Sequence, residues 1–127
     1  MNYEEDRLQN HYLSRGFIET LILWIIHKQP IHGYKIKKKI EEVTIGNYLP
    51  KPGVIYTMLR RMEEKGLLRS EWKRETGRGK RVYYITEKGK FVLVTRLKIM
   101  KKRLKVLEQM VSYYEHVFEK QKENKSN

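Results

Sequence analysis

Arg78, Lys80 and Arg81 crowd a short segment broken by Gly77 and Gly79, and Arg60 and Arg61 precede them, behind Tyr56 and Thr57. The chemistry open to such residues is recognition of a polyanion. Lysine and arginine neutralise phosphates and release their counterions. Arginine also presents a fork that matches guanine O6 and N7, while Tyr and Thr hydroxyls reach base edges or phosphates. Tyr34, Lys35 and Lys38 form a second basic and aromatic group, and Lys51 with Gly53 a third. Plainer readings stand beside these. A basic turn is common on solvated surfaces, Lys37 and Lys39 read as solvated charge, and Arg61 as a phosphate contact or solvated charge. Tyr56 could instead pack under the first helix.

Other chemistry finds little material. His11, His27, His32 and His116 are scattered, and only His116 has a carboxylate at helical spacing, Glu119; one pair is too few ligands for a metal. The chain has no cysteine, which removes disulfides, thiol nucleophiles and thiolate zinc sites. Asp6 is the sole aspartate, and no nucleophile–base pair stands out. Gly77 and Gly79 lie between two strand-like runs, not between a strand and a helix, so they do not form a phosphate-cradling loop. The expectation is no enzyme, no cofactor and no metal.

Charge distribution supports the polyanion reading. The formal net charge is +13. Residues 51–90 carry twelve Lys/Arg against five Asp/Glu and residues 91–105 six against none, whereas residues 1–50 carry seven against six and residues 106–127 three against four. The excess therefore sits mid-chain, where a nucleic-acid partner would be met. No apolar run reaches membrane-spanning length. The acidic opening Glu4-Glu5-Asp6 is unlike a secretory signal. A cytoplasmic protein is expected.

These residues need elements to position them. Residues 15–28 carry Phe17, Ile18 and the apolar run 21–26, with no internal breaker after Gly16, between Ser14, an N-cap candidate, and Gln29-Pro30, which disfavours further helix; they read as a buried helix with Trp24 in the core. Ile31-His32-Gly33 is a connector with one or two strand residues at most. Tyr34 to Val43 reads as a second helix, broken by Gly46-Asn47. Pro52 suits the first turn of a third helix, in which Ile55, Leu59 and Met62 repeat at i, i+4, i+7 beside Met58. That repeat turns Gly53, Tyr56, Thr57 and Arg60 outward, with Arg61 at the flank. Gly66 is placed for a left-handed C-terminal cap. Residues 67–76 and 80–85 read as two strands, a hairpin turning at Gly77-Arg78-Gly79, with Trp72 in the core or supporting the wing.

Thr86 then offers an N-cap to a helix running to about Lys120. Leu93, Leu97, Met100, Leu104, Leu107, Val111, Tyr114 and Phe118 are spaced 4, 3, 4, 3, 4, 3, 4, a heptad seam. Such a helix is about 50 Å long, more than the small domain before it covers, so the seam calls for a second copy of the chain. Lys98, Lys101, Lys102, Arg103 and Lys105 flank it. They read as a solvated face that discourages parallel pairing and favours an antiparallel or crossed dimer.

Three helices followed by a hairpin is the order of a winged helix, in which the third helix enters the major groove and the wing lies on the flanking backbone. His32-Gly33-Tyr34-Lys35-Ile36 resembles the His-Gly-Tyr-x-Ile segment of PadR-like transcriptional regulators. The run 52–63 from Pro52 to Glu63 resembles that family's recognition helix, continued by Gly66-Leu67-Leu68. The run 77–89 from Gly77 to Gly89 resembles its wing and exit. Three such segments in order cover roughly residues 14–118. The resemblance implies a homodimeric repressor on an inverted-repeat operator, its last helix clasping the partner's first and last helices. Thr57 stands where a proline is common and Met62 where a leucine is. Residues 1–13 exceed minimal members. The last helix lacks the tryptophan with which some members sandwich planar ligands.

The expected architecture is mainly α with a small β hairpin: a winged helix-turn-helix domain plus a long C-terminal dimerisation helix. Its parts are an N-terminal extension at 1–13 that forms at most a short helix, the winged helix at 14–89, the dimerisation helix at 90–120 and a tail at 121–127. Its expected partners are double-stranded DNA and itself; a cavity between subunits would admit a small-molecule effector that the sequence does not name. The rival readings are a non-specific architectural nucleic-acid binder and a winged-helix protein-interaction module.

Overall fold

The computed structural model describes residues 14–48, 50–75 and 78–121. The short helix considered for residues 1–13, and the end of the tail from residue 122, lie outside them. Helix α1 (Arg15–Lys28) begins at Ser14, whose Oγ accepts the Phe17 N–H at 3.2 Å, and ends at Gln29 in extended backbone before Pro30. Strand β1 (Ile31–His32) leads into α2 (Gly33–Val43), and α3 (Pro52–Glu64) follows. Strands β2 (Leu68–Glu75) and β3 (Arg78–Ile85) precede the long helix α4 (Glu87–Tyr114), which passes into a π-helical turn, Glu115–Glu119.

The core forms where the three short helices turn their apolar positions inward. Ile22, Leu23 and Ile26 of α1, Ile36 and Ile40 of α2, and Ile55, Leu59 and Met62 of α3 are fully buried, with Leu68 beneath them from the sheet. Each such side chain removes enough apolar surface from water to contribute roughly 1.5–3 kcal/mol. Trp24 corrects the expectation of a core residue. It is 36% exposed, and the Lys28 ammonium lies 4.6 Å over its ring. On a helix apolar nearly all round, Ile18, Ile22, Ile25 and Ile26 take the inward face, and Phe17 and Trp24 are left outside, seven positions apart.

The one or two strand residues expected in the connector pair into the sheet. It has three strands, ordered β1-β3-β2, all antiparallel. Ile31 pairs with Tyr83 and His32 with Val82, so the connector is the edge strand of the wing. The β2–β3 ladder extends to Glu75 opposite Arg78. Arg78 and Gly79 therefore belong to a strand and not to the turn; Thr76 and Gly77 lie outside the described residues.

Two joints fix the first turns of the last helix, up to Leu93, to this core. Gly66 has φ +77° and ends α3 as the Leu67 N–H bonds the Met62 carbonyl at 2.9 Å, a left-handed cap. Thr86 caps α4: its Oγ1 accepts the Gly89 N–H at 3.0 Å and donates to the Gly66 carbonyl at 2.5 Å. Leu93, one turn on, is 2% exposed in the core.

The chain divides into two compact units between Leu93 and Val94. Within the second, Leu97, Met100, Leu104, Leu107, Val111 and Tyr114 line one stripe of α4 and are exposed, Leu104 by 51%. The continuous helix expected to Lys120 is interrupted at Glu115–Glu119. The π turn sets Phe118 beside both Tyr114, at 6.3 Å between ring centres, and Tyr113, at 6.1 Å. Among the described residues no helix is long and apolar enough to cross a membrane.

Candidate nucleic-acid interface

Helix α3 presents two faces. Ile55, Met58, Leu59 and Met62 are buried; Gly53, Val54, Tyr56, Thr57, Arg60 and Arg61 are exposed. Lys51 stands exposed at the N-cap with no side-chain capping bond. The Thr57 hydroxyl donates to the Gly53 carbonyl at 2.8 Å, and its side chain stays exposed. Tyr56 is 47% exposed. It lines a cleft of about 320 Å³ with Tyr34, Gly79, Lys80, Arg81 and Tyr83.

That cleft joins side chains from three elements. Tyr34 begins α2, Tyr56 lies on α3, and Lys80 and Arg81 lie on β3. Lys80 donates to the Tyr34 hydroxyl at 3.4 Å and sits 4.8 Å over its ring. Arg81 is tethered: it donates to Ser70 Oγ at 2.8 Å, and Ser70 donates to the Glu63 carboxylate at 2.6 Å. Burial, reinforced by Glu63, pushes the Tyr83 hydroxyl above the ordinary tyrosine range, against the opposing pull of Arg81 and Arg60. Tyr83 therefore stays a neutral donor beneath the basic cleft.

The α2 lysines separate by pairing. Lys37 meets Glu41 and Lys39 meets Glu42, both at 3.5 Å, whereas Lys35 and Lys38 have no carboxylate partner among the described residues. Lys35 instead lies 5.8 Å over the Tyr34 ring. Of Arg78 only the backbone position opposite Glu75 is described.

Several features were not read from the sequence. Trp72 is 62% exposed and its indole lies across Gly79, where an added Cβ would stand 2.0 Å from the ring. It is not core, which leaves support of the wing, the other reading of this residue. On the opposite face of the hairpin, Arg69 and Lys73 flank the Tyr84 ring at 4.3 and 5.5 Å, and Arg69 holds the Glu71 carboxyl below its usual range. On α4 and the π turn after it a second apolar stripe, Ile99, Val106, Met110, Tyr113 and Val117, repeats at 7, 4, 3 and 4 residues. Its spacing could have been found by the same heptad count.

The family model described as "Transcriptional regulator PadR-like family" matches residues 22–94. The chain belongs to the PadR-like family. Its regulators are not enzymes, in keeping with a site made of cations, hydroxyls and an exposed helix. The transcriptional regulator YqjI of Escherichia coli K12 is 37% identical over 81 residues, 64% of this chain and 38% of that protein, so the chain spans well under half of that relative's length. A PadR family transcription regulator from Clostridium difficile R20291 matches with a TM-score of 0.67 at 30% identity, over 75% of this chain and 98% of that one. Bacillus subtilis PadR, solved in complex with operator DNA, has the same fold: its TM-score is 0.58 at 23% identity, over 63% of this chain and 46% of that one.

Proposed function

We propose that this PadR-like chain is a cytoplasmic homodimer that binds double-stranded DNA sequence-specifically and represses transcription from an inverted-repeat operator. The observation that carries the reading is the cleft that brings Tyr34, Tyr56, Lys80 and Arg81 together beside the exposed face of α3. In this reading α3 enters the major groove. Arg60 grips guanine O6/N7 or a phosphate, and Tyr56 and Thr57 meet base edges or backbone. Lys51 and Gly53 let the start of α3 approach a strand closely. Tyr34, Lys35, Lys38 and Arg61 hold flanking phosphates, and Arg78, Lys80 and Arg81 lay the wing along the duplex.

The dimer is favoured by what a single chain leaves uncovered. Leu97, Met100, Leu104, Leu107, Val111 and Tyr114 are exposed on α4, Phe118 on the π turn after it, and Phe17 and Trp24 on α1. The seam residue Leu93 is already spent in the core of the first unit. A second copy would cover both sets, and its two-fold symmetry would be mirrored in an inverted repeat. Bacillus subtilis PadR, which shares the fold, was solved in complex with operator DNA, and that favours DNA as the partner.

The test is fluorescence anisotropy with the upstream DNA of the chain's own gene and with a scrambled duplex, across salt concentrations. The reading expects a preference of about 10³ or more for the upstream DNA. It expects Arg60→Ala to relax base preference at one position by about 1–3 kcal/mol. Equal, steeply salt-dependent affinities for both duplexes would instead mark an architectural binder, and binding to neither would favour a protein-interaction module.

A further inference from the structure

One face of the hairpin carries an indole that the chain leaves mostly in water. The register sets Ser70 opposite Tyr83, Trp72 opposite Arg81 and Arg74 opposite Gly79, so these pairs share a face, while Arg69, Glu71, Lys73 and Tyr84 alternate to the other. Tyr83, Arg81 and Gly79 also line the basic cleft beside Tyr56 of α3. The row therefore continues that cleft outward along the wing. The Glu63 carboxylate accepts from Ser70 at its base, at 2.6 Å, and further out Arg74 and Arg81 are exposed on either strand.

Trp72 is 62% exposed, so its ring forgoes most of what burial would contribute. Its place is nonetheless fixed. The Nε1–Cε2–Cζ2 edge lies across Gly79, where even a Cβ would stand 2.0 Å away, and the Arg81 guanidinium lies 5.8 Å over the ring. Arg81 is itself held by Ser70 Oγ at 2.8 Å. Support of the wing uses only the covered edge. The remainder of the ring is a rigid apolar plate with two torsions, which loses little entropy when a partner covers it.

The partner of such a row offers apolar surface between anionic groups. A duplex has it on the walls of the minor groove, where deoxyribose rings lie between phosphates. That groove is about 6 Å wide, which admits a flat ring or a guanidinium and excludes a helix. We propose that, with α3 in the neighbouring major groove, Trp72 packs its exposed ring on a minor-groove deoxyribose while Arg74 and Arg81 meet the phosphates beside it. The contact rests on the DNA-binding reading above and adds a different kind of force to it. Each arginine on a phosphate releases counterions, and the indole on a sugar releases none.

The test uses the full chain and a duplex that it selects from a random-sequence pool, with anisotropy read across salt concentrations. Trp72→Ala is expected to weaken binding about tenfold at every salt concentration and to leave the slope of log affinity against log salt unchanged. Arg81→Gln should instead make that slope shallower. Were Trp72 a support for the wing alone, its loss would displace the arginines, and slope and affinity would fall together. Trp72→Phe keeps a flat ring and should retain most of the affinity. Trp24→Phe leaves Trp72 as the single tryptophan, and saturating duplex is expected to remove most of the quenching of its emission by acrylamide. This last measurement keeps the indole, so it decides even if Trp72→Ala does not fold. Unchanged affinity for Trp72→Ala, a slope that falls with it, or quenching that the duplex does not alter overturns the contact. Equal affinity for unrelated duplexes overturns sequence specificity, and the same measurements then decide the contact on any duplex. A chain that binds no duplex overturns the DNA-binding reading and the contact with it.

Discussion

Gly53→Ala separates what the fold requires from what a DNA partner requires. Gly53 lies in the first turn of α3, its φ is not positive, and nothing stands within 4 Å of an added Cβ. Within the chain itself the methyl group is free. Alanine is the better helix former and lowers the entropy of the unfolded state, so the variant should be more stable by about 0.4–1 kcal/mol. For a domain of this size that is a rise in Tm of about 2–6 °C. On DNA the sign reverses. The start of a helix offers backbone N–H groups without intrahelical partners, and a methyl beside them holds a phosphate away. Losing one N–H bond to a charged oxygen costs about 1.5 kcal/mol per half-site, roughly tenfold, and about a hundredfold over two half-sites. Thermal unfolding by circular dichroism and anisotropy with operator DNA measure the two effects on one preparation. Unchanged affinity would show that Gly53 does not meet the duplex closely, and a fall in Tm would show that the space around it is not free.

Gly89→Ala should do the opposite, because its Cβ would stand 2.1 Å from the Leu67 carbonyl oxygen and 2.8 Å from Ile85. A backbone atom cannot step aside as a side chain can, so denaturant unfolding should show a loss of about 1–3 kcal/mol or more. Leu104→Asp with Val111→Asp places charge on the exposed seam; analytical ultracentrifugation should show monomer while far-ultraviolet circular dichroism keeps the winged-helix signal, and a persistent dimer would refute the seam. Tyr83 is held neutral in the fold, so the unfolded chain ionises first as pH rises past about 10 and stability falls there. Stability measured between pH 8 and 11 should decline less steeply for Tyr83→Phe, and equal slopes would refute the assigned cause.

Much of this was legible because spacing reports burial. The i, i+4, i+7 repeat of Ile55, Leu59 and Met62 identified both the buried and the exposed face of α3, and the structure buries those three residues. Cap chemistry located Ser14, Gly66 and Thr86 as element ends, since the orphan N–H and carbonyl groups there need such residues. Other features depend on pairing between distant segments. Strand β1 is two residues long and exists because β3, far away in sequence, hydrogen-bonds to it. Trp24 failed because a helix apolar nearly all round does not reveal which face the domain takes. The wing turn was displaced because Gly77 and Gly79 both look like turn residues, whereas the ladder continues to Glu75 and Arg78. Gly79 serves a different need, since it makes room for Trp72.

The two stripes on α4 also constrain how copies of the chain can pair. Residues 91–105 carry six Lys/Arg and no Asp/Glu, whereas Glu108, Glu115 and Glu119 lie further along the helix. Parallel copies in register would set the cationic stretch against itself, and neighbouring like charges on facing helices oppose association. An antiparallel pairing sets the cationic stretch against the segment that bears the carboxylates, so apolar burial and charge then favour the same arrangement. One stripe suffices for a single antiparallel neighbour. A second, beginning at Ile99 and ending at Val117, is unexplained by that contact alone, and the exposed Phe17 and Trp24 of α1 offer the apolar surface it lacks. A two-fold dimer satisfies both needs, because each copy supplies an α4 and an α1 to the other. In that arrangement the residues that hold the dimer together are separate from those of the basic cleft, and substitutions in one set should leave the chemistry of the other intact.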